Sequence, residues 1–250
     1  MAEAKPAQRW QTGGILVAEL SAGPPLRLRL KLMTTTRRER ATEKETSRIE
    51  AFSDGVFAIA ITLLVLDLKV PPPEGFVSAA RLEAVLLNLW PGYLAFLTSF
   101  VTILIMWVNH HAMFRLVARS DTALMFANGF LLLMVTVVPF PTSLVADYLT
   151  TPAAAPAAAI YSAVFFVGAL AYNLLWFSIA HNRRLLNPAV SPAQVRALSR
   201  SYPFGMPVYL TATILAFWNA YVSVGICVGL WFVWIWSGAV RQARGSHDSA

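Results

Sequence analysis

The sequence predicts an all-α fold: a polytopic membrane bundle of six transmembrane helices. Three observations lead there. Of the 250 residues, 57% are hydrophobic and only 13% charged, with a mean hydropathy of +0.57. An average soluble domain is about a quarter charged, so a water-soluble fold would lack the polar surface to cover this chain. The apolar residues gather into runs long enough to cross a hydrocarbon core of about 30 Å. The Lys and Arg residues between those runs fall on alternate connections, as cytoplasmic loops require.

Taken in order, the runs occupy roughly 49–68, 91–114, 122–146, 157–180, 204–219 and 221–237. The last two adjoin. As one helix, residues 203–237 would extend for about 50 Å at 1.5 Å per residue, too long for one crossing, so a hairpin is expected near Asn219–Ser223. Pro139 and Pro141 lie within the third run and are able to break it. Arg37, Arg38, Arg40, Lys44 and Arg48 precede the first run. Arg115 and Arg119 follow the second, Arg183, Arg184, Arg196 and Arg200 the fourth, and Arg241 and Arg244 the last. The opposite connections are poor in bases, so both termini are expected on the cytoplasmic side. Trp90, Tyr93, Tyr148, Trp234 and Trp236 stand near the run ends, as an interfacial aromatic belt does.

This gives a cytosolic, disordered N-terminal tail over 1–47, a six-helix transmembrane domain over 48–238 and a cytosolic C-terminal tail over 239–250. The short apolar stretch Ile15–Leu20 contains Glu19 and does not make a signal peptide. Met33 opens a polar stretch and is a candidate downstream start. The formal net charge of +7 is scattered between apolar runs and forms no basic face for nucleic acid. The single cysteine, Cys227, excludes an intrachain disulfide.

The first run holds the residues that hydropathy does not explain. Asp54 is a carboxylate about 8 Å inside the cytoplasmic end of its helix. Such a residue has to face protein or water and to find a partner; helix glue and a functional role are both open readings. Arg48 sits six residues away, about 120° around the helix, and so on another face. Topology brings Trp107, Asn109, His110 and His111 of the second run and Asn128 of the third to the same depth, predicting a polar belt with Arg48, Ser53 and Asp54. The adjacent histidines point about 100° apart and lack a metal-site spacing, so no metal is expected. Farther out, Ile59, Thr62, Leu63 and Leu66 recur at i, i+3, i+4 and i+7. Such a stripe is either a packing face or the wall of a conduit.

The string from Arg48 through Phe52-Ser53-Asp54-Gly55 to Thr62-Leu63-Leu64-Val65-Leu66 resembles the hallmark of the transmembrane-protein-175 family of potassium channels. Trp107-Val108-Asn109-His110-His111 and Pro139-Phe140-Pro141-Thr142 resemble it too. The resemblance covers residues 48 to about 237 and implies a homotetramer whose pore is lined by the first helix. It implies that Ile59, Leu63 and Leu66 form a hydrophobic constriction and that Thr62 supplies a hydroxyl layer linked to potassium preference. It further implies that Arg48, Phe52, Ser53, Asp54, Trp107, Asn109, His110, His111 and Asn128 form the network holding the helices together.

The expected function is therefore passive, potassium-preferring conduction in a bacterial inner membrane, with potassium ions and the lipid bilayer as partners and no cofactor. The alternative is a proton-permeable channel or proton-coupled transporter, motivated by Asp54 and the two histidines. A TVGYG filter is absent, and no Ser/His/Asp set, P-loop or dinucleotide fingerprint points to an enzyme.

Overall fold

The computed structural model describes the backbone of residues 26–71 and 78–247 and the side chains of residues 45–66, 68–71 and 78–235. The expectations for Met33 as a start, for Trp236 at the interface and for the side chains of the C-terminal tail lie outside the described residues.

Among the described residues the named elements are all helices: α1 (Leu26–Leu63), continued by a 3-10 turn (Leu64–Asp67), α2 (Ala79–Asn88), α3 (Trp90–Phe114), α4 (Thr122–Val137), α5 (Pro139–Tyr148), α6 (Ala154–His181), α7 (Pro192–Ser201), a 3-10 turn (Tyr202–Phe204), α8 (Gly205–Leu215) and α9 (Ala220–His247). The chain divides into two compact units, Met1–Glu43 and Lys44–Ala250. Within the first, the described residues from Leu26 onward have helical backbone. Residues 26–47 carry neither proline nor glycine and are rich in Leu, Arg, Glu and Lys, all good helix formers.

In the second unit four stretches are long and apolar enough to cross a membrane: Glu45–Leu66, Trp90–Phe114, Thr122–Tyr148 and Ala154–His181. The predicted fifth and sixth spans correspond to the short α8 and to the apolar Ala220–Ile235 stretch of α9, which pack on one another as a hairpin. The turn falls where it was expected. Asn219 Oδ1 accepts from the backbone N–H groups of Tyr221 (3.0 Å) and Val222 (3.2 Å), capping α9. The third span is broken as the prolines allow. Pro139 cannot donate, α4 closes at Val137, and α5 restarts with Thr142 donating both its amide (3.2 Å) and its hydroxyl (2.8 Å) to the Val138 carbonyl.

Two short helices add to the predicted set. α2 lies in the connection between the first and second spans, capped by Ser78, with Leu82, Leu86 and Leu87 exposed. α7 opens with a capping box between Ser191 and Gln194. On the side where Arg115 follows α3, an isolated antiparallel bridge between Val117 and Leu186 clasps the two arginine-bearing loops together.

α6 is the central post. It packs against α4, α5, α8 and α9; its buried residues form one broad face, and the opposite face, with Ile160, Leu174 and Phe177 exposed, is just as apolar, so it shows almost no amphipathicity, as a helix in contact with lipid should. α3 packs on α5 and α9, and the 3-10 turn that ends α1 rests on α3 and α5. Leu64 in that turn is fully buried, while Leu66, two residues on, is 74% exposed. Replacing Leu64 by Ala is therefore expected to lower the unfolding free energy by about 2–5 kcal/mol. Leu66→Ala should leave it within about 0.5 kcal/mol. Thermal unfolding of the detergent-solubilised protein checks both.

Candidate functional site

The Glu50–Asp54 turn of α1 faces α3 through two residue pairs at i, i+4 spacing. Trp107 Nε1 donates to Asp54 Oδ1 at 2.8 Å. One turn earlier along α1, His111 Nδ1 lies 2.7 Å from Glu50 Oε1, and Arg115 Nη2 lies 3.2 Å from His111 Nε2. A guanidinium can only donate, so His111 accepts on Nε2, while its Nδ1 stays close to the carboxylate without making a hydrogen bond to it. Residues four apart share a helix face, so two such pairs on antiparallel helices fall opposite each other.

Behind this pair of contacts runs a chain of buried hydrogen bonds. Ser53 Oγ donates to Ile49 O at 2.9 Å and accepts from Asn128 Nδ2 at 2.9 Å. Because Asn128 uses its amide nitrogen there, its Oδ1 faces His110 Nε2 at 2.8 Å and is the acceptor. His110 is thereby held as the neutral Nε2–H tautomer. Its Nδ1 is buried and, among the described residues, without a hydrogen-bond partner. Phe57 and Phe114 pack on the ring, with centroids at 5.4 and 4.4 Å. Thus Asn128 ties α1, α3 and α4 at one point.

Of the expected polar belt, Ser53, Asp54, Trp107, His110, His111 and Asn128 come together. Arg48 and Phe52 do not join these bonds. Both line an open groove with Glu45, Ile49, Met125, Asn128, Gly129 and Leu132, and Phe52 is 67% exposed. Asn109 is turned away: its amide bonds Ile105 O at 2.9 Å, and it lines a cavity of about 70 Å³ between α3, α6, α8 and α9. Glu50, which contacts His111, is not among the residues expected in the belt. The signal was present in its position four residues before Asp54, matching the spacing of Trp107 and His111.

The other face of α1 points away from the helices it packs on. Ser53, Phe57, Ala60 and Leu64 are buried, whereas Ile59, Leu63 and Leu66 are exposed at 59%, 43% and 74%. Thr62 shares their face, and its hydroxyl donates to Ile59 O at 2.9 Å, leaving the oxygen lone pairs outward. At the far end, Lys69 pairs with Asp147.

A family model described as endosomal/lysosomal potassium channel TMEM175 matches residues 48–139, the stretch that contains every contact just described around Asp54 and Asn128. A potassium channel of Chamaesiphon minutus is 52% identical over 189 residues, covering 76% of this chain and 93% of that protein. The chain belongs to the TMEM175 family. A potassium channel of Streptomyces collinus is 46% identical over 177 residues, covering 70% of this chain and 84% of its own. The endosomal/lysosomal proton channel TMEM175 of Rattus norvegicus is 30% identical, matching 68% of this chain and 35% of its own length. In three dimensions the chain is similar to the crystal structure of a potassium-selective TMEM175 homologue from Chamaesiphon minutus, with a TM-score of 0.71 and 49% identity, covering 78% of this chain and 99% of that one.

The buried chain makes a direct prediction for this TMEM175 member. Asn128→Leu leaves the His110 N–H buried and unpaired and is expected to cost about 1–3 kcal/mol. Ser53→Ala, which leaves the Asn128–His110 bond in place, should cost less. Equilibrium denaturation in detergent, ranking the two variants, is the check.

Proposed function

We propose that four copies of this chain form a potassium-preferring cation channel, with α1 of each subunit lining a central pore. The observation that carries this reading is the outward stripe on α1. A helix held in its bundle by Ser53, Phe57, Ala60 and Leu64 leaves Ile59, Leu63 and Leu66 without partners inside the subunit. Four such stripes around an axis make rings of aliphatic side chains, which gate by excluding water. Thr62 adds a ring of hydroxyls. Each hydroxyl proton is already committed to Ile59 O, so the oxygens are free to replace part of an ion's hydration shell. Selectivity of this kind is modest, since no carbonyl-lined filter accompanies it.

The membrane orientation in this reading has both termini in the cytoplasm of a bacterial cell, supported by the exposed Arg115, Arg119, Arg183, Arg184, Arg196 and Arg200 on one set of connections. The names of the Chamaesiphon and Streptomyces relatives support potassium as the permeant ion. The proton-channel name of the rat relative motivates a second reading, in which protons pass. Against it, His110 is fully buried behind α1, and the stripe from Ile59 to Leu66 bears no titratable group.

Ion flux into proteoliposomes separates these readings. The wild-type protein is expected to pass potassium in preference to sodium, Leu66→Asn to raise flux by wetting the constriction, and Thr62→Val to move the potassium-to-sodium ratio toward unity. No potassium flux from a verified tetramer, or flux indifferent to Leu66→Asn, would remove the pore reading. A proton leak abolished by His110→Ala in an intact tetramer would favour the second.

A further inference from the structure

Lys69 leaves the end of the candidate pore helix and reaches across to α5. Its Nζ lies 2.6 Å from both Oδ1 and Oδ2 of Asp147, a residue 78 positions away. The two side chains remain 65% and 39% exposed. An ion pair so open to water contributes little to stability, so its consequence has to be sought in the field it creates.

Position gives that field a target. The 3-10 turn ends at Asp67 and Leu68 is extended, so the chain departs from the helix axis just before Lys69. Lys69 follows Leu66 by three residues, and at 3.3–3.6 Å per residue its backbone stands at most about 11 Å from that of Leu66. This is about one Debye length at 0.1 M salt. A bare ammonium there acts on any cation that crosses the constriction, and in a tetramer it acts fourfold. Asp147 is the one charged residue in the 147–156 connection and sits at the end of α5.

We propose that Asp147 is a conductance-setting residue of the outer pore mouth, cancelling the charge of Lys69 so that the mouth, where Asp67 follows Leu66 in the sequence, stays net negative toward cations leaving the Leu66 ring. This rests on the pore reading above and adds to it a determinant outside α1. The pair works as a matched set: the carboxylate neutralises the ammonium and draws it toward α5. Charged rings at a channel mouth set cation throughput in the same way.

A simple staple between α1 and α5 would make loss of either partner equivalent, whereas charge cancellation gives the two losses opposite signs. Potassium conductance of the reconstituted full-length channel is therefore measured at low and high salt for Asp147→Asn, Lys69→Gln and the double variant, each verified to assemble as the wild type does. Asp147→Asn is expected to lower conductance severalfold at low salt and much less at high salt. Lys69→Gln should match or exceed wild type, and the double variant should recover what Asp147→Asn lost. Equal losses in both single variants, a double variant no better than Asp147→Asn, or no change at low salt would each overturn the proposal. A wild-type tetramer that passes no potassium would instead overturn the pore reading beneath it.

Discussion

Polar side chains placed in an apolar bundle have nowhere to turn but to one another, and in this protein Asn128 is where that requirement converges. Its amide is spent twice, donating to Ser53 on α1 and accepting from His110 on α3. With no water in the hydrocarbon region to take over either bond, each is worth keeping. The Trp107–Asp54 bond and the His111–Glu50 contact lie alongside, so α1 is held by several groups at one level. A helix fixed in this way loses its freedom to rotate about its axis.

That loss is what gives the outer part of α1 its meaning. Aliphatic faces bind without direction, and an all-apolar helix could settle in several rotations at similar cost. The polar contacts choose the one that buries Phe57, Ala60 and Leu64. Ile59, Thr62, Leu63 and Leu66 are then turned out by default, because a helix has only one opposite side. The polar cluster around Asn128 and the candidate ion path are thus two ends of a single mechanical arrangement.

A second polar layer stiffens the scaffold against which α1 leans. Ser99 meets the Thr142 hydroxyl at 2.6 Å and Tyr161 at 3.2 Å, joining α3, α5 and α6. Ser162 and Ser223 meet at 2.7 Å and join α6 to α9. Every one of these groups is fully buried, and each finds its partner on a neighbouring helix. The short α8 and the apolar stretch of α9 complete the packing around α6 without α8 being long enough to span alone.

Membrane residence, the order of the apolar runs, the hairpin at Asn219 and the weakness at Pro139 were all legible in the sequence, because composition, length and backbone chemistry act locally. So was the depth at which Asp54 would seek partners. The family hallmark was legible as well, and with it the stripe to watch. What only the tertiary structure decided was partnership: that Trp107 rather than Arg48 answers Asp54, that Asn109 turns to another cavity, that Glu50 joins the cluster, and that Lys69 finds Asp147. Depth along a helix follows from counting residues. Which side chains touch depends on the rotation of each helix against its neighbours, and that is set by contacts between segments far apart in the chain.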